Sequence, residues 1–351
     1  MGLAREELRE RVLALIDRLA DGRRDDAARD RLLADLAHFQ RTRVEVVRKL
    51  GGGAVPTDVF RHARVAGHPP DRDVRVFLTS GTTHGARGRH CLRDLSLYDR
   101  AARAAARYAL FPDVERVRLV LLAPHPAEAP RSSLSYMLGR FEDWFGREAS
   151  WVWVDGRLDA TALTRALREA EAAGLPVALL GTSFAFVHAE DALGDARFAL
   201  PAGSRLMQTG GFKGRSREVA ADALRAALAA RYGLDEAWIV AEYGMTELSS
   251  QMYENTLRAA VAGAPPPPRR LWVPGWVRAT VVDPETLRPR RDGEVGILRI
   301  DDPANLDTAC ALQTSDLAIA HGAAIELLGR APGATPRGCS LAVEEALADE
   351  P

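Results

Sequence analysis

Two segments place hydroxyls, glycines and acids where they can do chemistry. The first is Thr79-Ser80-Gly81-Thr82-Thr83-His84-Gly85-Ala86-Arg87-Gly88-Arg89. Its glycines let the backbone close round an anion, and its hydroxyls and successive N–H groups can donate to phosphate oxygens. Arg87, Arg89 and His90 add charge. There is no G-K-[ST], so this is not a Walker loop, and a flexible polar turn is the competing reading. The second is Glu242-Tyr243-Gly244-Met245-Thr246-Glu247, which follows an apolar run. Ligands gather at the carboxyl ends of strands in α/β folds. A tyrosine there can stack on a base, a threonine can reach a phosphate, and a glutamate can hold Mg2+ through oxygen. A plain strand-end turn is the alternative. Weaker signals are Thr209-Gly210-Gly211-Phe212-Lys213, Gly329-Arg330, and Thr314-Ser315-Asp316, whose acid suits ribose hydroxyls.

The elements that must carry these loops follow from apolar spacing. Leu8, Val12, Leu13, Ile16 and Leu19 repeat at helical intervals over 4–20, and a second helical pattern runs over 27–50 to a triple-glycine stop. Residues 73–78 alternate as a strand that enters the first loop, and 95–110 read as the helix that follows it. Beyond that, apolar runs at 116–123, 150–154, 176–180, 205–208 and 238–243 alternate with helical patterns at 132–145, 160–173 and 216–232. Short apolar strands alternating with helices predict parallel pairing and a layered α/β sheet. The character changes at the four prolines from Pro265, after which 276–282 and 295–300 read as strands of a small antiparallel subdomain. The expected division is an α/β core over 1–264, a β-rich subdomain over 265–325 and a hinge-like tail over 326–351.

Composition narrows the classes. The 351 residues suit two units or one large α/β domain, with 47% hydrophobic and 27% charged residues as in ordinary globular chains. Forty-seven basic residues against 48 acidic ones give a formal net charge of -1, which argues against bulk nucleic-acid or membrane binding. Three cysteines, Cys91, Cys310 and Cys339, support neither a disulfide framework nor a zinc site. No apolar run reaches the roughly 18–20 residues of a membrane span, and the charged N-terminus has no signal-peptide core. Gly2 is followed by Glu6 where myristoylation wants Ser or Thr. The expected compartment is the cytoplasm.

Taken together, T-S-G-T-T-x-G, Gly210-Gly211, Y-G-M-T-E, T-S-D and G-R resemble the loops of the adenylate-forming superfamily. The closer resemblance is to its acyl-protein synthetase branch, which is related to phenylacetate-CoA ligase and includes the fatty-acid-activating component of bacterial bioluminescence. Phe39-Gln40, Val55-Pro56-Thr57-Asp58, Arg87-Gly88-Arg89-His90, Gln208 to Gly214 and Arg337-Gly338-Cys339-Ser340 look like that branch, so the resemblance covers nearly the whole chain. It implies the superfamily's N-terminal architecture and ATP-dependent conversion of a fatty or aromatic acid to acyl-adenylate. The acyl group would then pass to a thiol. Position by position, Thr79, Ser80, Gly81, Thr82 and Thr83 would wrap the ATP phosphates. Gly210, Gly211, Tyr243 and Gly244 would flank the adenine. Thr246 would touch the α-phosphate, Glu247 the Mg2+, and Asp316 the ribose with Arg330 beside it. Ser183, Phe184 and His188 would border the acyl pocket, although the phenylalanine can equally pack the core and the histidine be an ordinary helix residue.

Two departures from the superfamily pattern stand out. The chain ends soon after Gly329-Arg330, so the C-terminal lid and its lysine are expected to be largely absent. The P-K-G lysine of the phosphate loop is replaced by the Arg87/Arg89 region; Lys213 would supply the missing charge or be a solvated loop lysine. Cys339 corresponds to the branch's acyl-accepting cysteine, against the reading of a small buried hydrophobe. An acyl reductase, a carrier protein or another thiol would be the partner. The rival to the enzyme is a faded nucleotide- or acyl-binding subunit of a reductase or biosynthetic complex. A CoA ligase is a third reading, weakened by the lack of a lid to build the CoA tunnel.

Overall fold

The computed structural model describes residues 4–79, 87–210 and 220–330. They form a mixed α/β structure of two compact units. The first takes in the chain to Ala105, Met245–Met252 and the chain from Arg270; the second takes in Ala106–Gly244 and Tyr253–Arg269.

The first unit opens with α1 (Arg5–Leu19), which buries the stripe Leu8, Val12, Leu15, Ile16 and Leu19. Helix α2 (Asp26–Arg41) starts at Asp25, whose carboxylate accepts from the Ala28 N–H. The long helix expected to residue 50 breaks here. The Thr42 hydroxyl donates to the Phe39 carbonyl at 2.9 Å, Val44 turns extended, and α3 (Glu45–Lys49) resumes. The break lets Val44 and Val47 both bury, at 1% and 4% exposure.

Strands β1 (Val55–Pro56), β2 (Arg75–Leu78) and β3 (Arg89–Leu92) follow, and then α4 (Ser96–Ala109). β2 and β3 pair antiparallel from Arg75↔Leu92 to Leu78↔Arg89. The sequence pattern had the first loop running straight from a strand into a helix. It instead leads into β3, and α4 begins only at Ser96, so no α4 N-terminus lies at the loop's end to add its dipole.

The second unit alternates β4 (Val117–Pro124), α5 (Ser133–Phe145), β5 (Gly146–Val154), β6 (Arg157–Leu158), α6 (Ala160–Ala173), β7 (Val177–Thr182), α7 (Ser183–Leu193), β8 (Arg205–Thr209), α8 (Ala221–Tyr232) and β9 (Ile239–Tyr243). Five strands pair in parallel in the order β9-β8-β7-β4-β5, with β6 antiparallel at the edge. Val120, Leu122, Leu179, Leu206 and Ile239 of the strands share one core with Leu163, Leu167, Phe186 and Leu228 of the helices. Strands covered by helices need apolar residues at every position, which is why they read as unbroken runs. Arg205 is an exception: its fully buried guanidinium is held by Asp113 and by the Leu110 and Gly203 carbonyls.

After β10 (Met252–Glu254) and α9 (Thr256–Val261), the chain returns to the first unit with β11 (Leu271–Trp272), β12 (Arg278–Val282), β13 (Val295–Asp301), β14 (Ala311–His321) and β15 (Ala324–Arg330). These five lie antiparallel in the order β12-β13-β14-β15-β11, and β1 joins the start of β14 in parallel. Gly329 and Arg330 are therefore strand residues. No helix among the described residues is long and apolar enough to cross a membrane.

Candidate functional site

In the second unit the interesting groups collect where β7, β8 and β9 end. Thr182 caps α7 by accepting from the Ala185 N–H at 3.0 Å. The buried Ser183 hydroxyl donates to the Gly210 carbonyl at 2.8 Å. Gly210 sits at φ +74°, with nothing within 4 Å of where a Cβ would lie. Glycine is required there by backbone conformation, not by crowding. One residue earlier the Thr209 hydroxyl donates to Glu242. Burial pushes that carboxyl up to about 7, opposed only in part by the Thr209 bond. Tyr243 and Gly244 are half-buried at the end of this edge. On α7, Phe184 packs against His188 with ring centres 4.4 Å apart, and Trp153 lies 6.2 Å from Phe184. Phe184 is half-buried and His188 is exposed, whereas Phe186 is in the core.

In the first unit, Thr79 and Gly88 close the stem of the hydroxyl–glycine loop. The Thr79 N–H donates to the Gly88 carbonyl at 2.9 Å, the Gly88 N–H donates to the Thr79 hydroxyl at 2.8 Å, and Arg87 donates to the Thr79 carbonyl. Arg87 and Arg89 are exposed. His90 is not part of that charge. Its ring is fully buried, its Nδ1 lies 2.7 Å from the Thr246 carbonyl, and its Nε2 lies 3.2 Å from the Thr308 hydroxyl. Burial holds it down at about 4, so it is neutral.

The stretch after Thr246 is gripped by the turn between β13 and β14. The Asn305 side chain donates to the Glu247 carbonyl at 2.8 Å and accepts from the Ser249 hydroxyl at 2.7 Å. Asp302 accepts from the Ser249 and Ser250 N–H groups and from the Ser250 hydroxyl. Gln40 donates to the Asn305 and Leu306 carbonyls and accepts from the Cys310 N–H. Glu247 is buried and Thr246 half-buried. Asp316 and Arg330 face each other across β14 and β15, with Arg330 Nε 3.4 Å from the Asp316 carboxylate.

The structure thus groups Ser183 with Gly210, Phe184 with His188, and Asp316 with Arg330. Ser80, Gly81, Thr82, Thr83, Gly211, Lys213 and Cys339 lie outside the described residues. Among the described residues no three His, Cys, Asp or Glu groups cluster as a metal cage. The supporting residues Asp302, Asn305 and Thr308 carry no motif, and only their burial reveals them; Glu242 opens the Glu242–Glu247 segment, but its burial against Thr209 shows only in the structure. The free cysteines Cys91 and Cys310 are buried. Burial raises both thiols, that of Cys310 to about 12.

Comparison with known proteins adds the family. Residues 52–348 match the model of the LuxE acyl-protein synthetase family. A long-chain-fatty-acid–luciferin-component ligase of Aliivibrio fischeri is 32% identical over 84 residues, which are 21% of this chain and 22% of that protein. Its counterpart from Vibrio harveyi is 31% identical over 81 residues, 21% of each chain. The chain therefore matches about a fifth of the length of these relatives. A solved 2-hydroxyisobutyryl-CoA ligase, in an open conformation with 2-HIB-AMP and CoA, superposes with a TM-score of 0.57 at 14% identity. The superposition covers 87% of this chain and 75% of that one. The likeness is one of fold.

Proposed function

The chain belongs to the LuxE acyl-protein synthetase family, and from that premise we propose that it converts a fatty or aromatic acid to its acyl-adenylate with ATP and passes the acyl group to a thiol. In the first step a carboxylate oxygen bonds to the α-phosphorus, the α–β phosphoanhydride breaks, and pyrophosphate leaves. In the second a thiolate bonds to the acyl carbon and AMP leaves. The observation that carries this reading is the family match over residues 52–348, which takes in every loop concerned.

The protein's part is to position and to neutralise charge. Thr79 to Thr83 hold the phosphates; the closed Thr79–Gly88 stem favours this, because it fixes where the loop starts and ends. Gly210, Gly211, Tyr243 and Gly244 flank the adenine, and the left-handed Gly210 backbone keeps that turn free of side-chain bulk. Thr246 meets the α-phosphate. Asp316 takes the ribose hydroxyls with Arg330 beside it. Ser183, Phe184 and His188 line the acyl side, and Lys213 adds charge. Glu247 suits Mg2+, which takes hard oxygen ligands from one or two carboxylates and from substrate phosphates. Its carboxylate is buried and its backbone is held by Asn305. A magnesium ion bound there would neutralise charge on the departing pyrophosphate.

Cys339 is the acyl acceptor in this reading, with an acyl reductase or a carrier protein taking the group onward. The described cysteines suit attack poorly, because burial raises both thiols and the thiolate is the nucleophile. The unpaired cysteines fit a reducing cytoplasm. Pyrophosphate exchange across a panel of fatty and aromatic acids tests the first step, and intact-mass spectrometry the second. Wild type should exchange and carry a hydroxylamine-labile acyl group; Cys339→Ser should exchange without it. Nucleotide binding without exchange would make the chain a binding subunit instead, and acylation persisting in Cys339→Ser would move the acceptor elsewhere.

A further inference from the structure

His90 stands second in β3, two residues beyond the Gly88 end of the loop stem. Strand alternation sends Arg89 outward and His90 inward. Inside, both ring nitrogens are committed. The Thr246 carbonyl can only accept, so Nδ1 carries the proton and donates to it at 2.7 Å. In the neutral ring Nε2 must then accept, and the donor within reach is the Thr308 hydroxyl at 3.2 Å. That hydroxyl has one proton, which His90 claims in preference to the more distant Asn305 carbonyl at 3.4 Å. The edge-to-face contact with Phe60, centres 6.0 Å apart, fixes the ring plane. The next carbonyl along, that of Glu247, is taken by Asn305. Two successive carbonyls of the Thr246–Glu247 segment are thus tied to buried side chains, and one tie leads straight to the strand leaving the phosphate-loop stem.

We propose that His90 is a positioning residue for adenylation, holding the Thr246–Glu247 backbone at a fixed offset from the Thr79–Gly88 stem through its Nδ1–H bond to the Thr246 carbonyl. This rests on the reading that Thr246 and Glu247 serve the α-phosphate and its metal. His90 touches no reacting atom. It sets where the threonine hydroxyl and the glutamate carboxylate sit when charge moves onto pyrophosphate. Loss of the tie costs alignment in the transition state more than it costs ground-state ATP binding.

The test compares His90→Asn, whose amide can replace the Nδ1–H donor, with His90→Leu, which has none. Thr308→Val is a milder variant that removes only the support for the tautomer. Hydrogen exchange of peptides covering Met245–Ser249 reads the tie itself, and pyrophosphate-exchange kinetics read its consequence. The expected result is faster amide exchange there in His90→Leu, and a kcat roughly 10- to 100-fold down with KM for ATP within about threefold of wild type. Asn should restore most of both, and Thr308→Val should fall between. Unchanged amide exchange in both His90→Leu and Thr308→Val would overturn the proposal. So would His90→Asn behaving no better than Leu, or activity falling only in proportion to the folded fraction. If wild type exchanges no pyrophosphate with any acid, the enzymatic reading fails, and the amide exchange alone decides whether His90 fixes the segment.

Discussion

Glu242 keeps a carboxyl in the interior beside a neutral hydroxyl, and its titration follows from that. Unfolded, the group loses its proton near the ordinary value of 4.5; folded, burial holds the proton to about 7. Between those values the unfolded chain binds fewer protons, so stability falls as pH rises from 4.5 through 7 and is constant above. The span corresponds to about 3 kcal/mol at most. Glu242→Gln keeps an amide for Thr209 and removes the titration. The melting temperature of the variant relative to wild type should climb through that window and level off above pH 7. A difference independent of pH would mean that Glu242 is ionised in the fold. His90 acts in the opposite sense. Its folded value near 4 lies below the ordinary 6.5, so its contribution is whole above 6.5 and lost as pH falls towards 4. Neither behaviour shows in the sequence. His90 stands between Arg89 and Cys91 and reads as one more charge until β3 pairs with β2 and turns it inward.

Among the elements, the β2–β3 pair does the local work of a loop holder. The Cβ of an alanine at Gly88 would lie 2.9 Å from Thr79 Cγ2 and 3.5 Å from Phe60 Cβ. Gly88→Ala must therefore push Thr79 aside and loosen its hydroxyl bond to the Gly88 N–H, an overpacking cost of about 1–3 kcal/mol. The expected outcome is a lower melting temperature and weaker ATP binding by calorimetry. Thr79→Ser removes the offending methyl but keeps the hydroxyl, so the double variant should recover both. Equal losses in the single and double variants would place the strain elsewhere. The parallel strands were legible because runs such as Val177-Ala-Leu-Leu180 are buried throughout. β14 was not. Gln313, Thr314, Ser315 and Asp316 interrupt it, and the first two are satisfied on the neighbouring strand: Gln313 and Thr314 both donate to the Leu298 carbonyl of β13. Polar strand residues become intelligible only once their acceptors are placed, and the same holds for Asp302, Asn305 and Gln40 around Glu247.

At the scale of the whole molecule, the two units differ in how the chain supplies them. The second is drawn almost wholly from one stretch, Ala106–Gly244 completed by Tyr253–Arg269. The first is gathered from three pieces, so β1 meets β14 and Gln40 meets Asn305 only after the intervening chain has been made. Local closure is fast and distant closure slow. In pulse-labelled refolding the amides of β4, β7, β8 and β9 should gain protection before those of β13 and β14; simultaneous protection would mean that the units form as one. On the ribosome the consequence is an order of birth. The second unit has all its residues once Arg269 has emerged, while the helices and the β2–β3 pair of the first must wait for the strands beyond. During that interval the first unit's helices and β2–β3 pair lack the strands that complete their unit, and the nascent chain is then most exposed to aggregation and most in need of a chaperone.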